Sequence, residues 1–349
     1  MKPVRPETYR RLIVLTGMSI VLLFLANLFW GSVSIPFAEV CRILTGGEPE
    51  KATWGYIVLH ARLPQAVTAL FTGASLAVAG LMLQTVFNNP LAGPSILGIN
   101  TGASLGVAVV MLFLGGTIGG SMIGFSISGY LSIILGAFLG ASVVLGIIIF
   151  FSTLVRSNVM LLIIGLMVGY LASSVISLLT FFSSSEGVFS YVVWGLGDFS
   201  GVALSQLPFY CVVLSIGLLI ALLLIKPMNA LLLGERYARN LGVRVGRVRV
   251  WMFVSTGILT ATTTAFCGPV SFIGLAVPHM ARLMIGSSNH TGLLPATLLV
   301  GGAVSLLCNL ISTLPGTASV IPLNAIMPVL GAPVIIYVIV NQKKIQYFN

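Results

Sequence analysis

Ten apolar stretches, joined by short connections that hold nearly all of the charge, constrain this chain more than any other feature. They cover residues 12–30, 64–86, 95–114, 128–151, 159–182, 204–225, 248–266, 270–286, 293–314 and 324–341. A helix of roughly 20 apolar residues spans the ~30 Å hydrocarbon core of a bilayer, where only helices or closed barrels satisfy their own backbone groups. Charged residues make up 7% of the 349, against about 25% in soluble domains, so no water-facing coat can be assembled. That shortage excludes a soluble enzyme, a disordered chain and a nucleic-acid-binding domain. The expected fold is all-α and polytopic: a single transmembrane domain over residues 1–349 with about ten spanning helices.

The net charge of +10 becomes informative once it is located. With both termini placed in the cytoplasm, 14 of the 17 Lys and Arg residues fall on the inner side, facing only Glu7 and Glu235. The outer connections keep Arg42, Lys51 and Arg62 beside Glu39, Glu48, Glu50, Glu186 and Asp198. Cytoplasmic loops are enriched in Lys and Arg, so this partition supports an even number of spans and two cytoplasmic termini. The first apolar run has 19 residues behind a basic start. It exceeds the ~7–15 of a secretory signal core and is expected to remain as the first span.

Several chemistries are missing. No Gly-x-x-x-x-Gly-Lys-Ser/Thr stretch occurs, so the chain has no phosphate-cradling loop of its own. The cysteines (Cys41, Cys211, Cys267 and Cys308) form no Cys-x-x-Cys pair, and the three in or at the ends of apolar segments, all but Cys41, read as buried thiols. His60 is expected outside, and His279 and His290 inside. No metal site, catalytic constellation or cofactor is expected. Ion-coupled carriers keep ionisable groups at mid-membrane, and none is evident here. An ion-coupled secondary transporter is therefore the disfavoured alternative, and energy is expected from a separate subunit.

Glycine is abundant, and Gly73-Ala74, Gly136, Gly140 and Gly146 are read as close-packing positions between helices. Two Gly-Pro breaks echo one another: Gly93-Pro94-Ser95-Ile96-Leu97-Gly98 and Gly268-Pro269-Val270-Ser271-Phe272-Ile273-Gly274. Each leads into an apolar span, a pattern that fits a structural repeat.

The motifs are more specific than the hydropathy. Arg62-Leu63-Pro64-Gln65 leads through Gly73-Ala74-Ser75-Leu76-Ala77-Val78-Ala79-Gly80 to Gln84 and then Asn88-Asn89-Pro90-Leu91-Ala92-Gly93-Pro94. Further on come Leu231-Leu232-Leu233-Gly234 with Leu241-Gly242-Val243, Gly268 to Leu275 with Pro278-His279 and Arg282, and Pro322-Leu323-Asn324 to Gly331-Ala332-Pro333. In this order they resemble the permease subunits of bacterial ABC importers for iron-siderophores, heme and vitamin B12. Gln65 stands where that family carries a second arginine.

The resemblance implies a homodimer in the bacterial inner membrane, a pair of cytoplasmic ATP-binding subunits, a periplasmic or surface-anchored substrate-binding protein, and surrounding membrane lipid. It implies no nucleic acid. The inner loop 226–247 is expected to couple to the ATPase through Leu231, Leu233, Gly234, Glu235, Tyr237, Arg239, Leu241 and Gly242. Glu235 and Arg239 are four apart, a spacing that pairs charges on one helix face. Asn89, Pro90 and Leu91, with Ser157 and Asn158, match the inner gate. The small residues Gly169, Ala172, Ser173, Ser174 and Ser177 suit the wall of a wide path. Arg62, helped by Arg42 and Lys51, is expected to meet the binding protein.

Overall fold

The computed structural model describes residues 6–114, 127–155, 157–314 and 320–340, and every regular element among them is helical. Of the expected inner cations, Lys2, Arg5, Arg156, Lys343 and Lys344 lie outside the described residues. The helices are α1 (Pro6–Phe29), α2 (Phe37–Leu44), α3 (Ala52–Tyr56), α4 (Leu63–Phe87), α5 (Ile99–Ala108), α6 (Ile127–Leu154), α7 (Asn158–Phe182) and α8 (Ser185–Gly195). They continue with α9 (Leu207–Leu223), α10 (Ile225–Leu232), α11 (Glu235–Asn240), α12 (Val245–Cys267), α13 (Ile273–Ile285), α14 (His290–Ser312) and α15 (Leu323–Val340). A π-helical turn, Ile57–Arg62, joins α3 to α4, and a second, Val109–Leu114, extends α5.

A helix occupies each of the ten apolar stretches. Six of these helices are long and apolar enough to cross a membrane, and α9 with α10 passes as a pair bent by 50°. α5 with its π turn, α13 and α15 are shorter apolar helices. At 1.5 Å per residue, the 13 residues of α13 cover about 20 Å, less than a hydrocarbon core. The apolar run 270–286 is thus only partly helical. Its first residues form a non-helical break, Gly268 to Phe272, that ends with Phe272 in the left-handed region at φ 67°.

The ends of the helices follow local chemistry. Pro64 sits in the first turn of α4, where its missing N–H costs nothing. α4 stops at Asn88, which takes the left-handed conformation (φ 46°, ψ 40°) that Asn tolerates better than most residues. Ser157 caps α7 by accepting the Met160 N–H at 3.4 Å, and Asn289 caps α14 by accepting the Thr291 N–H at 2.9 Å.

α4 is the hub. Every residue from Thr72 to Phe87 is buried, whereas α1 and α7 leave most of their surface open. A helix apolar on all sides is expected at the centre of a membrane bundle. α9, α12, α13 and α14 surround α4, and small residues set the separations. A methyl group at Gly80 would overlap the Gly274 carbonyl of α13, and one at Gly73 would overlap the Gly301 carbonyl of α14. Gly136 and Gly140 meet Gly106 and Gly102 in the same way between α6 and α5, but Gly146 faces open space.

The two echoing breaks come together. Gly93 to Ile96 and, from the second break, Val270 to Phe272 with Gly274 and Leu275 line one 170 Å³ cavity beside Leu76 of α4. Asn324, at the start of α15, braces the second break. Its Nδ2 donates to the Pro269 carbonyl at 2.7 Å and to the Gly195 carbonyl at 3.0 Å, while its Oδ1 accepts the Ser271 N–H at 3.1 Å.

Overpacking a close contact costs about 1–3 kcal/mol or more. Gly80→Val is therefore expected to lower the melting temperature of the detergent-solubilised protein sharply, while Gly146→Val leaves it close to wild type. Size-exclusion chromatography after a temperature ramp measures both.

Candidate functional site

The inner loop folds into two short helices. α10 ends at Leu233-Gly234 and α11 at Leu241-Gly242, and both glycines are left-handed, with φ 96° and 82°. Each helix anchors one side chain, Met228 from α10 and Ala238 from α11, both fully buried. The apolar residues then divide. Leu231 packs against the core, whereas Leu233, Tyr237 and Leu241 remain 54%, 52% and 58% exposed. The last three form the outward surface of the elbow, beside Arg239 and Gly242.

Asn229 lies inside α10 and ties that helix to the start of α14. Its Oδ1 accepts the His290 backbone N–H at 2.8 Å and lies 3.0 Å from His290 Nδ1, and its Nδ2 donates to Asn289 Oδ1 at 2.9 Å. The far side of the same imidazole, Nε2, lies 2.8 Å from Thr85 Oγ1 near the end of α4. α10 is thereby fixed to the hub.

α11 is held differently. Glu235 does face Arg239, at 3.5 Å, but its closer partner is Arg249 of α12, at 2.5 Å. The same Arg249 Nη2 donates to Asn158 Oδ1 at 2.7 Å. The sequence reading passed over Arg249, although a signal was present: a cation one turn inside an apolar segment is costly without a partner.

The gate segments border this point. A 300 Å³ cavity is lined by Asn88, Asn158, Gly234, Glu235 and Arg249, among others. The turn that follows Asn88 is stiffened from within, since Asn89 Oδ1 accepts the Leu91 N–H at 2.9 Å. The Pro90 carbonyl lies 2.8 Å from His279 Nε2 on α13, and Leu91 is 41% exposed. Arg282, one turn further along α13, donates to Gln84 Oε1 of α4 at 2.7 Å. Of the residues expected at the gate, Asn158 is therefore a neighbour of Gly234 and Glu235 in the loop expected to couple, although 76 or more positions separate them in sequence.

The residues expected along the path differ in exposure along α7. Ala172 is buried, and Gly169 turns toward α5, where an added Cβ would meet Gly98 Cα at 3.5 Å. These two serve close packing. Ser173, Ser174 and Ser177 are exposed, with Ser177 Oγ donating back to the Ser173 carbonyl at 3.0 Å.

The expected docking cations also divide. Arg62 is 6% exposed and points into the protein. It donates to the carbonyls of Leu28 at 2.9 Å, Phe29 at 3.0 Å and Val33. Helix C-termini leave carbonyls without intrahelical partners, and Arg62 satisfies those of α1. Arg42 is exposed and pairs with Glu39 at 2.8 Å, and Lys51 lies 4.8 Å above the Trp54 ring. The protein interior also holds more cation than the sequence suggested. Arg62, Arg249 and Arg282 are all buried, each within two turns of a helix end and each bonded to oxygen.

Residues 19–341 match the FecCD transport family. The chain belongs to that family. It is 33% identical over 297 residues to the vitamin B12 import system permease protein BtuC of Klebsiella pneumoniae, covering 85% of this chain and 86% of the relative. It is 32% identical over 340 residues to the molybdate import system permease protein MolB of Haemophilus influenzae, covering 94% and 95%. A solved structure described as an inward-facing conformation of a metal-chelate type ABC transporter superposes with a TM-score of 0.80 at 28% identity, over 96% of this chain and 99% of that one. This FecCD-family protein is thus an ABC importer permease of the inner membrane, a class that works with ATPase and substrate-binding partners.

The buried Arg62 makes a prediction about the permease. Each buried carbonyl left without a donor costs about 1–3 kcal/mol, whereas an exposed ion pair is worth under about 1 kcal/mol. Arg62→Gln is expected to reduce thermal stability in detergent clearly, and Arg42→Gln hardly at all. Melting curves of the two purified variants compare them.

Proposed function

We propose that the chain is the membrane-spanning subunit of an importer for a metal-bearing solute, an iron chelate (siderophore or heme) or vitamin B12. Two copies enclose the path, a pair of ATP-binding subunits docks on the inner loops, and a substrate-loaded binding protein docks outside. Both termini lie in the cytoplasm. The chain carries out no covalent chemistry. The near full-length match to importer permeases, with the exposed apolar elbow of α10–α11, carries this reading.

The mechanism follows from the geometry. Leu233, Tyr237 and Leu241 offer an apolar surface that water does not favour, and a groove on an ATPase subunit covers it. ATP binding draws the two ATPases together and displaces the elbow. The displacement reaches Asn158, the neighbour of the elbow, and with the Asn89-Pro90-Leu91 turn Asn158 opens or closes the inner end of the path. The exposed hydroxyl face of α7 (Ser173, Ser174 and Ser177) lines that path without holding the solute tightly. Recognition belongs to the binding protein. That the relatives carry names as different as vitamin B12 and molybdate import supports leaving selectivity there. Arg42 and Lys51 are the outward cations available to that partner, with Arg62 supporting the loop beneath them.

Two experiments test the proposal. In proteoliposomes holding the permease, its ATPase subunits and its binding protein, ATP-dependent uptake is expected for labelled cobalamin, a ferric siderophore or heme. Uptake of molybdate alone, or uptake driven by an ion gradient without ATP, contradicts it. Separately, Tyr237→Asp buries a carboxylate in the contact and is expected to lower co-purification of the ATPase at least tenfold, a cost of about 1.4 kcal/mol or more. An unchanged yield removes α11 from the contact.

A further inference from the structure

The two inner-loop helices are attached to the protein in unequal ways, and the difference assigns a job to a residue that motif and composition pass over. α10 is fastened to α4 and α14 through Asn229, His290 and Thr85. Among the side-chain polar contacts of the described residues, α11 reaches the other helices through one nitrogen. Arg249 Nη2 sits between Glu235 Oε1 at 2.5 Å and Asn158 Oδ1 at 2.7 Å, and the Arg249 side chain is 10% exposed. A guanidinium nitrogen of this kind has two N–H bonds, so both are used, one toward each element.

We propose that Arg249 is the positioning residue that transmits displacement of α11 to the inner gate at the start of α7. The inference rests on the importer reading above. Three observations carry it. The guanidinium is buried and bonded to both sides, so it cannot follow one partner without straining or losing the other. The 300 Å³ cavity beside it is shared by Gly234 and Glu235 of the loop and by Asn88 and Asn158 of the gate segments, which gives the joint room to shift. Within the protomer α7 is little covered while α4 and α12 are largely enclosed, so neighbouring helices of the same chain hold α7 less firmly than those two. Charge-assisted hydrogen bonds are short and directional, and a carboxylate–guanidinium–amide chain is suited to transferring a push between elements that barely touch.

The test uses the complete transporter in proteoliposomes and reads solute moved per ATP hydrolysed. Arg249→Gln, Glu235→Gln and Asn158→Leu are each expected to lower that ratio at least about fivefold, within the usual range of coupling between linked sites. Arg249→Lys, which keeps the charge, is expected to recover part of the loss. The decisive readout is the Glu235→Gln/Asn158→Leu double variant. If the three residues form one relay, the double variant is no worse than the more severe single variant, because the chain is already broken. Multiplying defects, or transport and hydrolysis falling together at a constant ratio, overturn the relay. Should Arg249→Gln fail to accumulate, the Glu235 and Asn158 variants still decide the matter. If the wild-type assembly moves no solute with ATP, the importer reading fails. If it does move solute and the variants keep its ratio, the relay alone fails.

Discussion

Close approach of backbones along α4 is the constraint on which the remaining architecture depends. In a bilayer, lipid tails are as apolar as Leu side chains, so helices gain little by exchanging one for the other. What holds them is fit. At Gly80, α4 lies directly against the Gly274 backbone of α13, and at Gly73 against the Gly301 carbonyl and the small Ser305 side chain of α14. With α12 and α9 on its other sides, α4 becomes a post around which shorter and broken elements are tolerated. α13 can be only 13 residues long because α4, α14 and α15 shield the break before it, and because Asn324 supplies that break with hydrogen bonds. Irregular backbone at membrane depth is stable only when protein surrounds it in this way.

Enclosure in the centre contrasts with openness at the edge. α1 and α7 each have only 17% of their apolar window covered within the protomer. The fixed and the exposed parts meet on one side, where the ends of α4, α10, α11 and the beginnings of α7, α12 and α14 gather. Polar side chains are concentrated at that junction: Asn229, His290 and Thr85 on one branch, and Glu235, Arg249 and Asn158 on the other. Each is paired, in keeping with the cost of an unpaired polar group away from water.

Much of this was readable from the residues alone, and the remainder was hidden for physical reasons. Long apolar runs announce helices because hydropathy sums over many positions, and a helix occupies each of the ten. The shortness of α13 was hidden because Val270 and Phe272 are as apolar as the helix they precede. Gly234 and Gly242 were visible as breaks since left-handed turns favour glycine. Arg249 was missed because its partners lie 14 and 91 positions away, on other helices, beyond any periodic spacing. The small residues of α7 share one composition but serve two purposes. Gly169 lies against the start of α5 and Ala172 is buried, while Ser173, Ser174 and Ser177 stay open, and composition alone does not separate the two. Arg62 belongs to the same class of ambiguity, because a cation at the head of a span reads alike whether it faces a partner or caps a neighbouring helix.

The inward orientation of Arg62 changes the electrical character of the loop above it. With that guanidinium committed to backbone carbonyls, the segment 31–61 presents Arg42 and Lys51 against Glu39, Glu48 and Glu50, and Arg42 already neutralises Glu39. With Glu186 and Asp198 of the other segment expected outside, that side carries Arg42 and Lys51 against five carboxylates, a weakly negative surface. A field of that sign fades within the Debye length of ~8 Å at physiological ionic strength, so it sorts charged surfaces only at close range.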